Sequence, residues 1–161
     1  MANKGYKKKD FESTEYYSDE NGNRRKDTSA NIYESMLLSK AWQELTAQQQ
    51  ALYVVCKSQY YNLKKKPSLS ESEPHGNERH FYMNRYLWNE KYVLYKRNNA
   101  GGFHRDMAAL IEKGFLRCVW RGMDTKSKSV YAFSSKWQKY PDFEIPTEDM
   151  TSYMRTQREK P

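Results

Sequence analysis

The sequence contains few of the residues that mark specialised protein classes. It has only two cysteines, Cys56 and Cys118, no Cys-x-x-Cys pair and no run of 18 uncharged apolar residues. Two thiols cannot build a disulfide framework, and no apolar segment is long enough to span a membrane. The basic start, MANKGYKKKD, is not followed by an apolar stretch, so it does not match a secretory signal. These absences predict reduced, buried cysteines and a cytoplasmic protein without a membrane partner.

The usual signatures of catalysis are also missing. No glycine-rich phosphate loop of the GxxxxGK[ST] type is present, and the three histidines, His75, His80 and His104, are scattered without a His-x-His pair. The first two lie in polar sequence that is typical of a hydrophilic loop rather than a metal site. Cys56 lies on an apolar stripe, which is a poor setting for a reactive thiolate. We therefore expect no enzyme: no catalytic residues, no metal, no cofactor and no small-molecule substrate.

Positive charge is concentrated in the middle of the chain. The formal net charge is +8, and residues 31–141 carry 18 basic and 9 acidic side chains, whereas residues 1–30 are near neutral and residues 142–161 are slightly acidic. A basic folded region attracts polyanions, of which nucleic acid is the commonest. The alternative is a solvated basic surface without a partner. The 14 tyrosines leave stacking on single-stranded bases as a further alternative.

Composition divides the chain into three parts. Residues 1–28 are polar and lack an apolar period, which predicts a disordered N-terminal tail. Residues 29–140 contain the patterned segments and predict one domain, interrupted by a flexible polar loop at 64–80. Residues 141–161 predict a polar C-terminal tail.

Two helices and a short strand are predicted in the first half of the domain. Thr46-Ala-Gln-Gln49 matches a capping box, and an apolar stripe follows it, with only the polar Gln59 out of pattern. Phe81-Tyr-Met predicts a short strand, after which Asn84 can cap a helix over RYLWNEKYVLY. The residues of the stripe are Leu52, Val55, Cys56, Tyr60 and Leu63.

The segment KRNNAGGFHRDMAALIEKGFLRCVW is the most informative in the chain. Phe103, Met107, Leu110 and Ile111 recur at helical spacing, and Gly114 can end the helix in the left-handed conformation. The residues from 115 to 120 then take on strand character, RGMDTKSKS forms a basic turn, and the residues from 130 to 133 predict a second strand. A helix therefore leads directly into a two-stranded hairpin with a cationic tip.

This order of elements predicts a mainly α fold with a small β-hairpin wing, that is, a winged helix-turn-helix. In such a fold the polar face of the last helix enters the DNA major groove, and its N-terminal residues reach the base edges. Arginine suits guanine and asparagine suits adenine, whereas backbone N–H groups at a helix start can hold a phosphate. Asn98 and Asn99 are equally good turn or capping residues. The candidate DNA-binding residues are Arg97, Asn98, Asn99, Gly102, His104, Arg105, Ala108, Lys126 and Lys128.

Three segments carry a resemblance to a known family. SANIYESMLLSKAWQELTAQQQALYVVCKSQYY, FYMN and GGFHRDMAALIEKGFLRCV resemble winged-helix proteins of Gram-positive plasmids and integrative mobile elements, some of which are replication initiators. The resemblance covers about residues 29–140 and is most specific over FHRDMAALIEKGF. It implies sequence-specific binding of double-stranded DNA in a bacterial cytoplasm.

Besides a single-strand binder that uses its tyrosines, two classes of function remain open at this point. The first is DNA binding, for origin recognition in replication or for local regulation, with a transcription regulator without a replication role as the variant. The second is a protein-docking module, which would expose apolar residues in place of Arg105 and Lys126. A homodimer is compatible with either class.

Overall fold

The computed structural model describes residues 16–26, 30–62, 80–120 and 129–143. Four α-helices and five strands lie in these ranges, together with a π-helix and a short 3₁₀ turn. They follow in the order β1 Tyr16–Ser18, β2 Arg24–Lys26, α1 Glu34–Leu37, α2 Lys40–Gln43, α3 Ala47–Asn62, β3 His80–Tyr82, the π-helix Tyr86–Lys91, α4 Ala100–Glu112, β4 Leu116–Trp120, β5 Val130–Phe133 and the 3₁₀ turn Lys136–Lys139. None of the helices described is long and apolar enough to cross a membrane.

The prediction of a mainly α winged helix-turn-helix is wrong. The described residues form a mixed α/β fold, and about 47% of them are helical and 17% are in strands, with two small antiparallel sheets. The hairpin of β4 and β5 is not a free wing, because β3 pairs along the other edge of β5 and gives a three-stranded sheet in the order β3-β5-β4. Local apolar spacing finds the strands, but it does not show which edges pair or how many sheets form.

The second sheet lies inside the segment predicted to be a disordered tail. Strands β1 and β2 pair from Tyr16 with Lys26 to Ser18 with Arg24. The Asp19 carboxylate accepts the backbone N–H groups of the connecting turn and pairs with Arg25 at 2.8 Å. The Arg25 guanidinium, followed by these backbone donors, lowers the pKa of Asp19. Most of the predicted loop at 64–80 and of the tail at 141–161 lies outside the described residues.

The predicted capping box of α3 is confirmed in both directions. The Gln49 N–H donates to Thr46 Oγ1 at 3.3 Å, and the Thr46 N–H donates to Gln49 Oε1 at 3.0 Å. Leu52 and Cys56 are buried as predicted, and burial raises the pKa of the Cys56 thiol. Gln59 is buried as well, which the sequence pattern did not predict. Its Nε2 group donates to the Tyr92 hydroxyl at 2.7 Å, and this bond offsets the cost of removing the amide from water.

The helix predicted over residues 85–95 is shorter and wound differently. Asn84 accepts a hydrogen bond from the Leu87 N–H at 3.1 Å, as a cap would, but the helix is a π-helix over Tyr86–Lys91 whose N-cap position is Arg85. Val93 follows at φ +50°, with 76% of its surface exposed. A β-branched residue is disfavoured in this left-handed region, so the turn that leads toward α4 is strained.

Replacing Val93 with asparagine should stabilise the protein by about 1 kcal/mol, because asparagine tolerates the left-handed conformation and Val93 buries little surface. The midpoint of urea unfolding measures the change. Val54→Asn is the control, since Val54 is also exposed but lies inside α3. The control should bring no gain, and an equal gain in both variants would contradict the assignment of strain to Val93.

The C-terminal end of α4 is tied to α2 and to the end of the described chain. Lys113 Nζ lies 2.6 Å from Glu44 Oε2, and the Tyr140 hydroxyl donates to the same carboxylate oxygen at 2.7 Å. The hydrogen bonds from Lys113 and Tyr140 lower the pKa of the Glu44 carboxyl. This cluster fixes the end of α4 that lies away from its predicted DNA-reading turn.

Candidate nucleic-acid interface

The start of α4 is built by its capping residue. Asn99 is the N-cap, and its Oδ1 accepts the Gly102 N–H at 3.1 Å. A Cβ atom added to Gly102 would lie 2.5 Å from that oxygen. Gly102 is buried and its N–H is occupied by the cap, so the structure places Asn99 and Gly102 in the framework of the helix start. Gly101, one residue earlier, is exposed.

The buried stripe predicted for α4 is confirmed. All four of its members are in the core: Phe103, Met107, Leu110 and Ile111. The Phe103 ring stacks on Trp88 of the π-helix at 4.9 Å and 16°, and meets Tyr95 edge-on at 5.8 Å. These contacts fix the rotation of the helix about its axis, which decides which side chains face solvent.

The outward face of α4 carries the predicted polar residues. His104 and Arg105 are exposed, and Ala108 is half-buried one turn further along. The large exposed apolar residues among those described do not include any residue of α4. A docking surface for another protein would be expected to present apolar side chains here.

The acidic neighbour of Arg105 is half-buried and hydrogen-bonded through both of its carboxylate oxygens. One carboxylate oxygen of Asp106 accepts the Tyr95 hydroxyl at 2.7 Å, and the other accepts Gln49 Nε2 at 3.1 Å. Burial, followed by the bond to the Asp106 carboxylate, raises the pKa of the Tyr95 hydroxyl, which stays protonated as the donor. The carboxylate therefore faces α3 and the segment that follows the π-helix. Within the described part of the chain, Arg105 takes part in no ion pair.

The turn before α4 adds further positive charge. Lys96, Arg97 and Asn98 are exposed, and the Asn99 N–H donates to the Lys96 carbonyl at 2.9 Å, which closes the turn onto the helix start. No ion pair between described residues involves Lys96 or Arg97. We refer to Lys96, Arg97, Asn98, His104 and Arg105 together as the basic face. Lys126 and Lys128, predicted at the hairpin tip, lie outside the described residues.

No family model, curated protein or solved structure matches this chain. The resemblance to mobile-element proteins therefore stays a prediction that rests on the three sequence segments alone. Within the described ranges, no group of three or more His, Cys, Asp and Glu side chains could hold a metal ion.

Sequence reasoning missed the network that keeps Asp106 away from the basic face. Gln49 was identified only as half of a capping box, and Tyr95 only as part of a helix. The signal available in the sequence was the place of Asp106 at the border between the apolar stripe and the polar face of the helix, three residues after Phe103. That position does not reveal the partners, because Gln49 is 57 residues away.

Proposed function

We propose that the protein binds double-stranded DNA through the basic face. The observation that carries this proposal is the inward placement of Asp106, which is bonded to Tyr95 and Gln49 and leaves Arg105 exposed without an ion pair to any described residue. Unneutralised cations on a rigid helix face attract phosphates and can reach base edges.

Rigidity of the presenting helix supports the same proposal. The core stripe of α4 and the Trp88–Phe103–Tyr95 ring cluster hold the helix in one orientation. Base readout needs side chains placed to within a fraction of an ångström, so a helix fixed by packing suits it better than a loop does. The exposed Glu112 lies seven residues, about 10 Å, beyond Arg105 and would repel phosphate. We therefore assign DNA contact to the N-terminal half of α4.

Roles within the basic face follow from its chemistry. Arg105 reads a base edge, with guanine as its best partner, and His104 lies beside it. Lys96, Arg97 and Asn98 hold the backbone, and Lys126 and Lys128 remain proposed phosphate contacts. Asn99 and Gly102 shape the helix start, and the half-buried Ala108 lets the DNA approach closely.

The biological setting is proposed from the sequence resemblance. We infer a non-enzymatic protein of the bacterial cytoplasm that recognises an origin, or a site of local regulation, on a mobile genetic element. A transcription regulator without a replication role would use the same face. Sequencing the DNA that is pulled down with the full chain separates these tasks, because it maps the sites against the replication origin and the promoters.

Replacing Arg105 with alanine should weaken binding to a duplex that carries the recognised site by about 1–3 kcal/mol. It should weaken binding to a duplex of scrambled sequence less. Arg105→Lys should keep the non-specific affinity but lose most of the discrimination, because lysine lacks the bidentate geometry of arginine. Lys40→Ala removes the same charge from an exposed site on α2 and is the matched control. Fluorescence anisotropy on both duplexes measures the affinities.

The salt dependence tests the electrostatic part of the proposal. Binding by the wild-type chain should fall with a slope of about −3 to −7 in log affinity against log salt, and the slope should persist in Arg105→Lys. A slope near zero would contradict DNA binding by a basic surface. An Arg105→Ala variant that folds and binds both duplexes like the wild type would remove α4 from the interface.

A further inference from the structure

A cleft of about 500 Å³ opens between α1, α3 and the segment that follows β5. Its volume falls within the range of about 300–1,000 Å³ that is typical of small-molecule sites. Ten residues line it, and none of them belongs to α4 or to the turn before that helix. The cleft is therefore separate from the basic face.

Four of the ten residues that line the cleft are aromatic. Tyr53 and Trp137 are buried, Phe133 is half-buried, and Tyr33 is 59% exposed. Tyr53 and Phe133 meet edge-on at 6.0 Å and 88°. The exposed Tyr33 ring and the half-buried Phe133 ring, backed by rings of the core, provide apolar surface on which a flat molecule can pack.

One cation lies among these rings without an acidic partner in the lining. Lys57 is half-buried, and its Nζ lies 5.4 Å from the centre of the Tyr33 ring and 5.7 Å from the centre of the Tyr53 ring. It donates one hydrogen bond to the Asn31 carbonyl at 2.8 Å. The residues that line the cleft include neither aspartate nor glutamate. Burial disfavours the charged ammonium and so lowers the pKa of Lys57. A bound anion would offset this desolvation.

Hydroxyl groups complete the polar part of the cleft. Ser134 and Ser135 follow β5 directly and line the cleft together with Ser35 of α1. Ser134 Oγ accepts the Lys136 N–H at 3.2 Å, which leaves its hydroxyl hydrogen available as a donor. An ammonium with two further N–H groups and several hydroxyl donors is suited to an anionic oxygen cluster.

We propose that this cleft binds a small molecule that combines a flat ring with one anionic group. The ring of the ligand packs against the aromatic lining and the exposed Tyr33 ring. Its phosphate or carboxylate group contacts Lys57 and the hydroxyls of Ser134 and Ser135. This ligand site is independent of the proposed DNA binding.

Calorimetric titration of the full chain with four probes tests the proposal. Adenosine monophosphate and 4-hydroxybenzoate each carry a ring and an anion, whereas adenosine and inorganic phosphate each carry one of the two features. At least one ring-bearing anion should saturate, with adenosine and phosphate at least about tenfold weaker, a difference of about 1.4 kcal/mol. The preferred probe identifies the anion as phosphate or carboxylate. If neither ring-bearing anion saturates, the proposal is overturned.

Variants locate the binding in the cleft. Lys57→Gln should lower the affinity for the preferred probe about tenfold or more, whereas Lys57→Arg should retain most of that affinity. Tyr33→Ala, at an exposed position that does not threaten folding, should weaken it as well. Lys40→Gln, an equal loss of charge on α2, and Arg105→Ala, on the basic face, should leave probe binding unchanged. Wild-type affinity in folded Lys57→Gln, or a loss in Arg105→Ala, would refute the assignment to this cleft.

Discussion

Replacing Phe103 with alanine should lower the free energy of unfolding by about 3–5 kcal/mol. The ring is only 2% exposed, stacks on Trp88 and meets Tyr95 edge-on, so alanine would leave a cavity at the joint between α4 and the π-helix. Buried rings cost more than their area alone when neighbouring rings lose their partner. Urea unfolding followed by circular dichroism measures the change.

The matched control is Tyr86→Ala. Tyr86 lies in the neighbouring π-helix but is 57% exposed, so its loss should change stability by no more than about 0.5 kcal/mol. DNA binding by Phe103→Ala should fall at least in proportion to the folded fraction, since Phe103 is not on the basic face but its ring helps to hold α4 in one orientation. Equal unfolding midpoints for the two variants would contradict the packing of α4 described above.

Gly114→Ala should destabilise the protein by about 2–4 kcal/mol. Gly114 has φ +78°, which costs other residues about 1–2 kcal/mol. Its Cβ would also lie 2.6 Å from the Trp137 backbone nitrogen, and that nitrogen donates to the Gly114 carbonyl at 3.1 Å. The clash is with backbone that is itself hydrogen-bonded to the glycine, so it cannot be relieved by a side-chain rotation.

Gly22→Ala separates the two contributions to the cost at Gly114. Gly22 has nearly the same φ, +75°, but nothing lies within 4 Å of the added Cβ. Its substitution should therefore cost only the conformational part, about 1–2 kcal/mol at most. Thermal unfolding of both variants measures the difference, and equal losses would show that the contact with the 3₁₀ turn contributes nothing.

Local signals predicted much of this structure because they depend on neighbours in sequence. The capping box at Thr46 and Gln49, the buried stripe of α4 and the left-handed Gly114 are all found where spacing and residue type place them. The three strands of the larger sheet also lie within a residue or so of their predicted positions. Each of these features needs only a few consecutive residues to be recognised.

Features that depend on distant partners could not be predicted. Gln59 is buried because Tyr92, 33 residues away, accepts its amide N–H group, and the apolar pattern had treated it as an exception. The pairing of β3 with β5 creates a sheet that the winged-helix hypothesis lacked. The ligand cleft brings Lys57 together with residues about 75 positions later in the chain, which no periodicity can reveal. The hydrogen bond from Gln49 to the half-buried Asp106 also depends on a distant partner.

Gln49 takes part in both the capping box of α3 and the contact with Asp106, and this limits which residues can replace it. A capping box accepts either glutamine or glutamate at this position, since both supply the oxygen that receives the Thr46 N–H. Here the other half of the amide donates to Asp106, and glutamate would instead set two carboxylates about 3 Å apart. The tertiary contact therefore disfavours an interchange that helix capping alone permits, and glutamine suits position 49 better than glutamate while position 106 carries an acid.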